Sequence, residues 1–177
     1  MDKEELNRRI ENDPKNINSM KGFEIIAESM VEKIYDIFGR NSLLSMLYQT
    51  GSGPGQIIAN RIKKESGKDE FEIEEAIQIL LQELTAFYSV QIRKIEEDSV
   101  KTRIIIGNKC FLRDPFKDRK KLQYGKAFCR INKGYFEVAF RELIGDEIKK
   151  IEINYLENDA ENDVCVEELL FYKKEVL

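Results

Sequence analysis

The spacing of apolar residues changes after Tyr88, and this change constrains the fold more than any other feature of the chain. Before it, apolar residues recur every three or four positions over 17–38 and 73–87, which is the spacing of amphipathic helices. After it, apolar and polar residues alternate over 90–92 and 100–106, which is typical of the two strands of a β-hairpin. Each element has one apolar face, so helices and sheet are expected to bury these faces against each other.

A helical pattern returns before a second pair of strands. The apolar spacing predicts a helix that begins at Leu122 or Ala127 and ends at Ile144, followed by strands over 148–155 and 164–172. The predicted fold class is α+β. N-terminal helices pack on a four-stranded antiparallel sheet, and one helix lies between the two hairpins.

The chain is predicted to form a single compact domain with an N-terminal extension. Its 177 residues are enough to bury one substantial core. Gly39 is a natural helix stop, so we expect a helical extension over 1–39 and the main domain over 40–177. A short helix over 42–48 is apolar on two faces, which indicates a central position or a contact with another subunit.

A glycine-rich segment, Gly51-Ser-Gly-Pro-Gly55, precedes a further helical stretch. A turn of this kind at a helix N-terminus can bind phosphate through backbone amides. However, the Gly-Lys-Ser/Thr ending of a P-loop is missing and no strand precedes the segment. We therefore favour a helix–helix junction in which small residues allow close packing, and we expect no nucleotide cofactor.

Composition excludes several function classes. The chain has no histidine, which rules out Ser-His-Asp and Cys-His catalytic systems and any zinc site built on imidazole. The net charge of −4 argues against a broad nucleic-acid-binding surface. A basic run at Lys117–Lys121 is interpreted as a solvated loop. Since no catalytic constellation remains, we expect a protein that is not an enzyme.

The sequence also bears on localisation. The N-terminus, Met1-Asp-Lys-Glu-Glu, is too polar for a signal peptide, and no apolar run is long enough to span a bilayer. Three cysteines at wide spacings do not indicate a disulfide framework. A cytoplasmic location is therefore expected.

One ordered set of residues resembles a known family. A helix opens with a cysteine, continues through Gly-Tyr and ends near Leu-Ile-Gly, and the two strands that follow carry a glutamate and a cysteine. The residues are Cys129, Gly134-Tyr135, Leu143-Ile144-Gly145, Glu152 and Cys165. This order, with Tyr48, Gly51 and Gly55 upstream, resembles the small-molecule-binding 4-vinyl reductase domain over roughly residues 40–172. The resemblance implies a fold shared with small subunits of the Golgi tethering complex TRAPP and with haem-based nitric-oxide sensors. Proteins of that group enclose an apolar ligand or build a dimer.

The resemblance also implies a zinc site. Phenol-sensing members of the family hold zinc with Cys, Glu, Cys and Cys, and Cys129, Glu152 and Cys165 match the first, second and fourth of these ligands. Tyr155 stands at the third position, so water or Cys110 would have to complete the four ligands of a structural site. The alternative is that the two matching cysteines are small buried apolar side chains. Glu152 is solvated, or, if it is buried, needs a cation or hydrogen-bond donors.

A ligand pocket is expected between the helix over 127–144 and the sheet. Its predicted lining is Ile104, Ile106, Tyr135, Phe136 and Phe140. The alternative is that these side chains form an ordinary filled core. Because the polar His and Trp anchors of the phenol-sensing branch are missing, an acyl chain or another hydrocarbon is the expected ligand.

Three functions follow from these patterns. The first is non-catalytic binding of a hydrophobic small molecule by a cytoplasmic, homodimeric domain. The second is a homodimeric scaffold of the tethering-subunit kind, with a filled core and a dimer surface near Leu43–Tyr48. The third is an enzyme or enzyme subunit, which neither a nucleotide-binding motif nor a catalytic constellation supports.

Overall fold

The computed structural model describes residues 2–12, 19–111, 113, 125–159 and 161–174. It divides into two compact units, Met1–Gly39 and Arg40–Leu177, which we describe separately. The division falls inside a long helical segment, where Gly39 has φ 77° and ψ 176°. A positive φ of this kind is readily adopted only by glycine, so the helix is interrupted at this residue.

The first unit is helical. It contains α1 (Lys3–Asn12) and the part of α2 (Ser19–Ser66) that precedes Gly39. The second unit contains the rest of the structure, in the order α2 from residue 40, α3 (Ile73–Glu83), β1 (Tyr88–Glu97), β2 (Lys101–Cys110), α4 (Gly125–Ile144), a 3₁₀ turn (Gly145–Glu147), β3 (Ile148–Asp159) and β4 (Val164–Lys173).

The four strands form one antiparallel sheet in the order β1-β2-β4-β3. This confirms the predicted α+β fold with a helix between the two hairpins. The predicted loop at Asp114–Pro115 and the basic run at Lys117–Lys121 lie outside the described residues.

The core lies between α4 and one face of the sheet. Ile104 on β2 is opposite Leu169 on β4, and both side chains are buried. From α4, Phe136 and Phe140 are 1% and 0% exposed, and the Phe140 ring lies 5.4 Å from that of Phe171 on β4. The apolar faces of α4 and of the strands therefore pack against each other in one buried layer.

The glycine-rich segment forms no turn, and its small residues lie at a close contact between two helices, as the sequence favoured. Gly51 and Gly55 lie inside α2, where it crosses α4. A Cβ on Gly51 would lie 1.9 Å from the Ile131 carbonyl oxygen, and one on Gly134 would lie 2.1 Å from that of Tyr48. The glycines thus allow the two backbones to touch, as the expected small-residue helix junction requires.

Candidate functional site

A groove of about 980 Å³ runs along the second unit between α3 and the sheet. Ile73, Ile77 and Leu81 line it from successive turns of α3. From the sheet, Ile92, Ile95 and Ile104 face it. Ile92 and Ile95 are 46% and 59% exposed, so the groove presents aliphatic surface to solvent.

A β-bulge places the two exposed isoleucines on the same face of β1. Ile92 is opposite Ile106 and Ile95 is opposite Ile104, while the register shifts at Arg93. Residues three apart in a regular strand point to opposite faces, because side chains alternate. The extra residue of the bulge restores both isoleucines to the helix-facing side.

The bulge is held from the other side of the sheet by an ion pair. Arg93 Nη2 donates to Asp159 Oδ2 at 2.8 Å. A Cβ on Gly107 would lie 2.9 Å from Arg93 Nε, so the glycine leaves room for the arginine. The Arg93 guanidinium, helped by Asn162, lowers the pKa of Asp159 to about 2. This pairing ties β1 to the end of β3.

Charged side chains gather at one end of the groove. They are Glu72, Glu74, Glu97, Glu147, Lys173 and Lys174. The start of β3 and the end of β4 meet there, since the Lys174 amide donates to the Glu147 carbonyl at 3.0 Å. The Lys173 amide likewise donates to Val100 in the β1–β2 turn at 2.8 Å. The groove therefore has a charged end, whereas the rest of it is aliphatic apart from Gln78 and Thr102.

Only one of the five predicted ligand-binding residues lines the groove. That residue is Ile104. Ile106, Phe136 and Phe140 lie in the packed core, where the two phenylalanine rings stack with centroids 6.0 Å apart. Tyr135 is half-buried on α4 where α2 crosses it, its backbone close to Gly55.

Two of the three predicted metal ligands come together. The Cys129 thiol, on α4, donates a hydrogen bond to Cys165 on β4, and Arg113 Nη1 donates to the same sulfur at 3.2 Å. The bonds from Cys129 and Arg113 lower the pKa of Cys165, whereas the Cys165 sulfur and burial raise that of Cys129. The pair is therefore satisfied by hydrogen bonds within the protein.

Glu152 does not join the two cysteines. It is opposite Leu170 on β4. Cys165 is five residues before Leu170, so its side chain lies on the other face of the sheet, towards α4. Glu152 instead forms an ion pair with Lys150 and accepts a hydrogen bond from the Tyr172 hydroxyl at 3.2 Å. Across the part of the chain that the structure describes, no group of three His, Cys, Asp or Glu residues could hold a metal ion.

A buried polar cluster near Cys165 was not predicted from the sequence. Asn108 Nδ2 donates to Glu167 Oε1 at 3.3 Å, while the Asn108 Oδ1 atom is buried and has no hydrogen-bond partner among the described residues. Burial raises the pKa of the Glu167 carboxyl to about 7. A large fraction of this group is therefore uncharged near neutral pH, which lowers the cost of burying it.

Comparison with known proteins identifies the fold. No family model matches the chain, and no curated protein matches it either. The structure is similar to a trafficking protein particle complex subunit 3 from Naegleria fowleri that is covalently bound to palmitic acid. That similarity has a TM-score of 0.59 at 13% identity and covers 88% of this chain and 95% of the other.

A second similar structure is the phenol-responsive sensory domain of the transcription activator PoxR with phenol. It has a TM-score of 0.54 and 11% identity, over 84% of this chain and 74% of that chain. At these identities the similarity shows a shared fold and nothing further. Neither description names an enzyme. Within the described residues, no helix is both long and apolar enough to cross a membrane.

Proposed function

We propose that the second unit binds a hydrophobic small molecule, a hydrocarbon or an acyl-like chain, in the groove between α3 and the sheet, without catalysing a reaction on it. The observation that carries the proposal is a groove of about 980 Å³ lined by seven aliphatic side chains. Two of these, Ile92 and Ile95, are still exposed to solvent. An apolar chain in the groove removes this surface from water, which favours binding. The volume also lies at the upper end of the range of small-molecule sites.

Two further lines of reasoning support an apolar ligand. The two similar structures carry palmitic acid and phenol, which are both largely apolar. The ordered residues around Cys129 and Cys165 resemble the 4-vinyl reductase domain, whose relatives enclose such molecules.

Zinc held by these cysteines remains a prediction, and metal analysis of purified protein and of a Cys129→Ala variant tests it. Unchanged zinc content in the variant rules that site out.

Native mass spectrometry and calorimetric titration with dodecanol test the binding proposal. Dodecanol is uncharged, so its binding reports on the aliphatic walls alone. We expect the protein to bind one molecule and the Ile95→Glu variant to bind at least tenfold more weakly, since a carboxylate placed in the groove has to be desolvated.

Leu156→Glu is the matched control. Leu156 is also an exposed aliphatic residue of a strand, but it lies outside the groove. Both substitutions are at exposed positions, so both proteins are expected to stay folded. Absence of dodecanol binding in the unmodified protein, or equal binding by Ile95→Glu, refutes the proposed function.

A homodimeric scaffold is the second candidate, and one observation in the first unit favours it. Phe23, Met30 and Ile37 are seven residues apart on α2 and are 57–67% exposed, together with Ile26 and Phe38. Apolar side chains at this spacing are typical of a helix that packs against a second helix. Light scattering on the full chain and on a Met30→Glu variant tests this candidate. A dimer that Met30→Glu dissociates supports it, and a monomeric full chain refutes it.

A further inference from the structure

We propose that the ligand of the groove is an amphiphile with a cationic head group, of the alkylammonium class. This inference rests on the proposed function and specifies its ligand. It starts from the uneven distribution of charge along the groove, which is charged at one end and uncharged and mainly aliphatic along the rest of its walls. A molecule that fills such a groove has an apolar chain and one polar end.

The charged end carries more negative than positive groups. Among the described residues, four carboxylates and two ammonium groups line it, which gives these groups a net charge of −2. Lys173 Nζ is 2.5 Å from Glu97 Oε1, and Lys174 Nζ is 3.5 Å from Asp146 Oδ1. Both ammonium groups therefore already have a carboxylate partner and are poorly placed to attract an anionic head group.

Three carboxylates at this end have no partner in the part of the chain that the structure describes. Among the described residues, Glu72, Glu74 and Glu147 make neither an ion pair nor a side-chain hydrogen bond. The N-terminus of α3 contributes a partial positive charge at the same end. However, Glu72 and Glu74 lie at the start of that helix, and their negative charges offset this partial positive charge. A cationic head group is attracted to this end of the groove, and a carboxylate head group is repelled.

The attraction is expected to be modest and sensitive to salt. All three carboxylates are exposed, so water and ions screen them. Exposed ion pairs are individually weak. We therefore expect the cationic amphiphile to bind about tenfold more tightly than the anionic one at low ionic strength. At high ionic strength the ratio of the two affinities should fall towards one.

Calorimetric titration with three dodecyl compounds, each below its micelle concentration, tests the inference. The compounds are dodecyltrimethylammonium, dodecanol and dodecanoate, which share one chain and differ in head-group charge. The expected order of affinity is cation, alcohol, carboxylate. In a Glu72→Gln/Glu147→Gln double variant, the affinity for the cation is expected to fall close to that for dodecanol. The affinity for dodecanol itself should stay the same.

Glu161→Gln is the control for a general change in net charge. Glu161 is exposed in the turn between β3 and β4, at the other end of the sheet, so its substitution should leave the order unchanged. Tighter binding of dodecanoate than of the cation overturns the inference. An unchanged preference of the double variant for the cation over dodecanoate also overturns it. Both outcomes leave the proposed function intact. Failure of all three compounds to bind refutes the proposed function itself.

Discussion

Glu137 joins three elements of the second unit at a single side chain. It is 6% exposed, and its carboxylate accepts hydrogen bonds from the Tyr48 hydroxyl and the Ile153 amide, both at 3.0 Å. Lys133 Nζ lies 3.3 Å away. The residue thus links α2, α4 and β3. Its burial could not be predicted from the sequence, because a glutamate in the middle of a helix is usually solvated.

We expect Glu137→Ala to lower the free energy of unfolding by about 3 kcal/mol, since it leaves a half-buried hydroxyl and a buried amide without an acceptor. Tyr48→Phe removes a single hydrogen bond and should cost about 1 kcal/mol. Urea unfolding of both variants and of the double variant checks this. Because the two residues share one bond, Tyr48→Phe should cost little in the Glu137→Ala background, and full additivity would contradict the pairing.

Asp159 gives the fold a dependence on acid pH. Its pKa is lowered to about 2, chiefly by Arg93, so the pairing stabilises the folded state above about pH 4 and is lost as the pH falls towards 2. Asp159→Asn should therefore lower the melting temperature near neutral pH by about 1–3 °C, and the difference should vanish near pH 2.

Thermal melts across this pH range check the prediction for Asp159. Glu161→Gln, in the neighbouring turn, removes a carboxylate that has no partner among the described residues, and it should show no such trend. A difference between Asp159→Asn and the unmodified protein that is constant with pH would show that the arginine pair is not its cause.

At the scale of elements, the glycines of the α2–α4 crossing are the most demanding positions. We expect Gly55→Ala and Gly134→Ala each to cost about 3 kcal/mol or more, because the added methyl group meets backbone atoms of the other helix within 2.4 Å. Gly53 lies on the same helix with open space around it, so Gly53→Ala should instead stabilise by up to about 1 kcal/mol. Urea unfolding distinguishes the two groups. Equal effects at Gly53 and Gly55 would contradict the close crossing.

The order of helices and strands was predictable, whereas two local features were not. Gly51 and Gly55 favour a turn by intrinsic propensity, but contact with α4 keeps them helical, and that contact is not visible in local sequence. The bulge at Arg93 likewise depends on pairing with β2. Ile95 lies beyond the alternation predicted over 90–92, and its odd spacing from Ile92 is the sequence signal that could have indicated a bulge.

The lining of the groove could not be predicted for the same reason, since it depends on contacts between distant parts of the chain. Phe136 and Phe140 were predicted as ligand-binding residues from their helical spacing, which is shared by core and pocket residues alike. Whether such a face meets a cavity or another side chain depends on the whole packing arrangement. The groove forms between α3 and β1, two elements whose relative position no local pattern specifies.

At the scale of the whole molecule, every described residue that lines the groove belongs to the second unit. We therefore expect a fragment of residues 40–177 to fold and to bind dodecanol with an affinity within about twofold of that of the full chain. Circular dichroism and calorimetry on the fragment check this. A folded fragment that no longer binds would place part of the site in residues 1–39. If the scaffold candidate holds, the same fragment should be monomeric.

None of the described residues that line the groove is a cysteine. If the proposed function holds, these residues offer no thiol for a thioester, and we expect the ligand to bind noncovalently and to exchange with free ligand. Half of the molecules are occupied when the free ligand concentration equals Kd, and thermal stability rises with the logarithm of that concentration above it. Under the proposed function, the occupied fraction is therefore expected to follow the free ligand concentration.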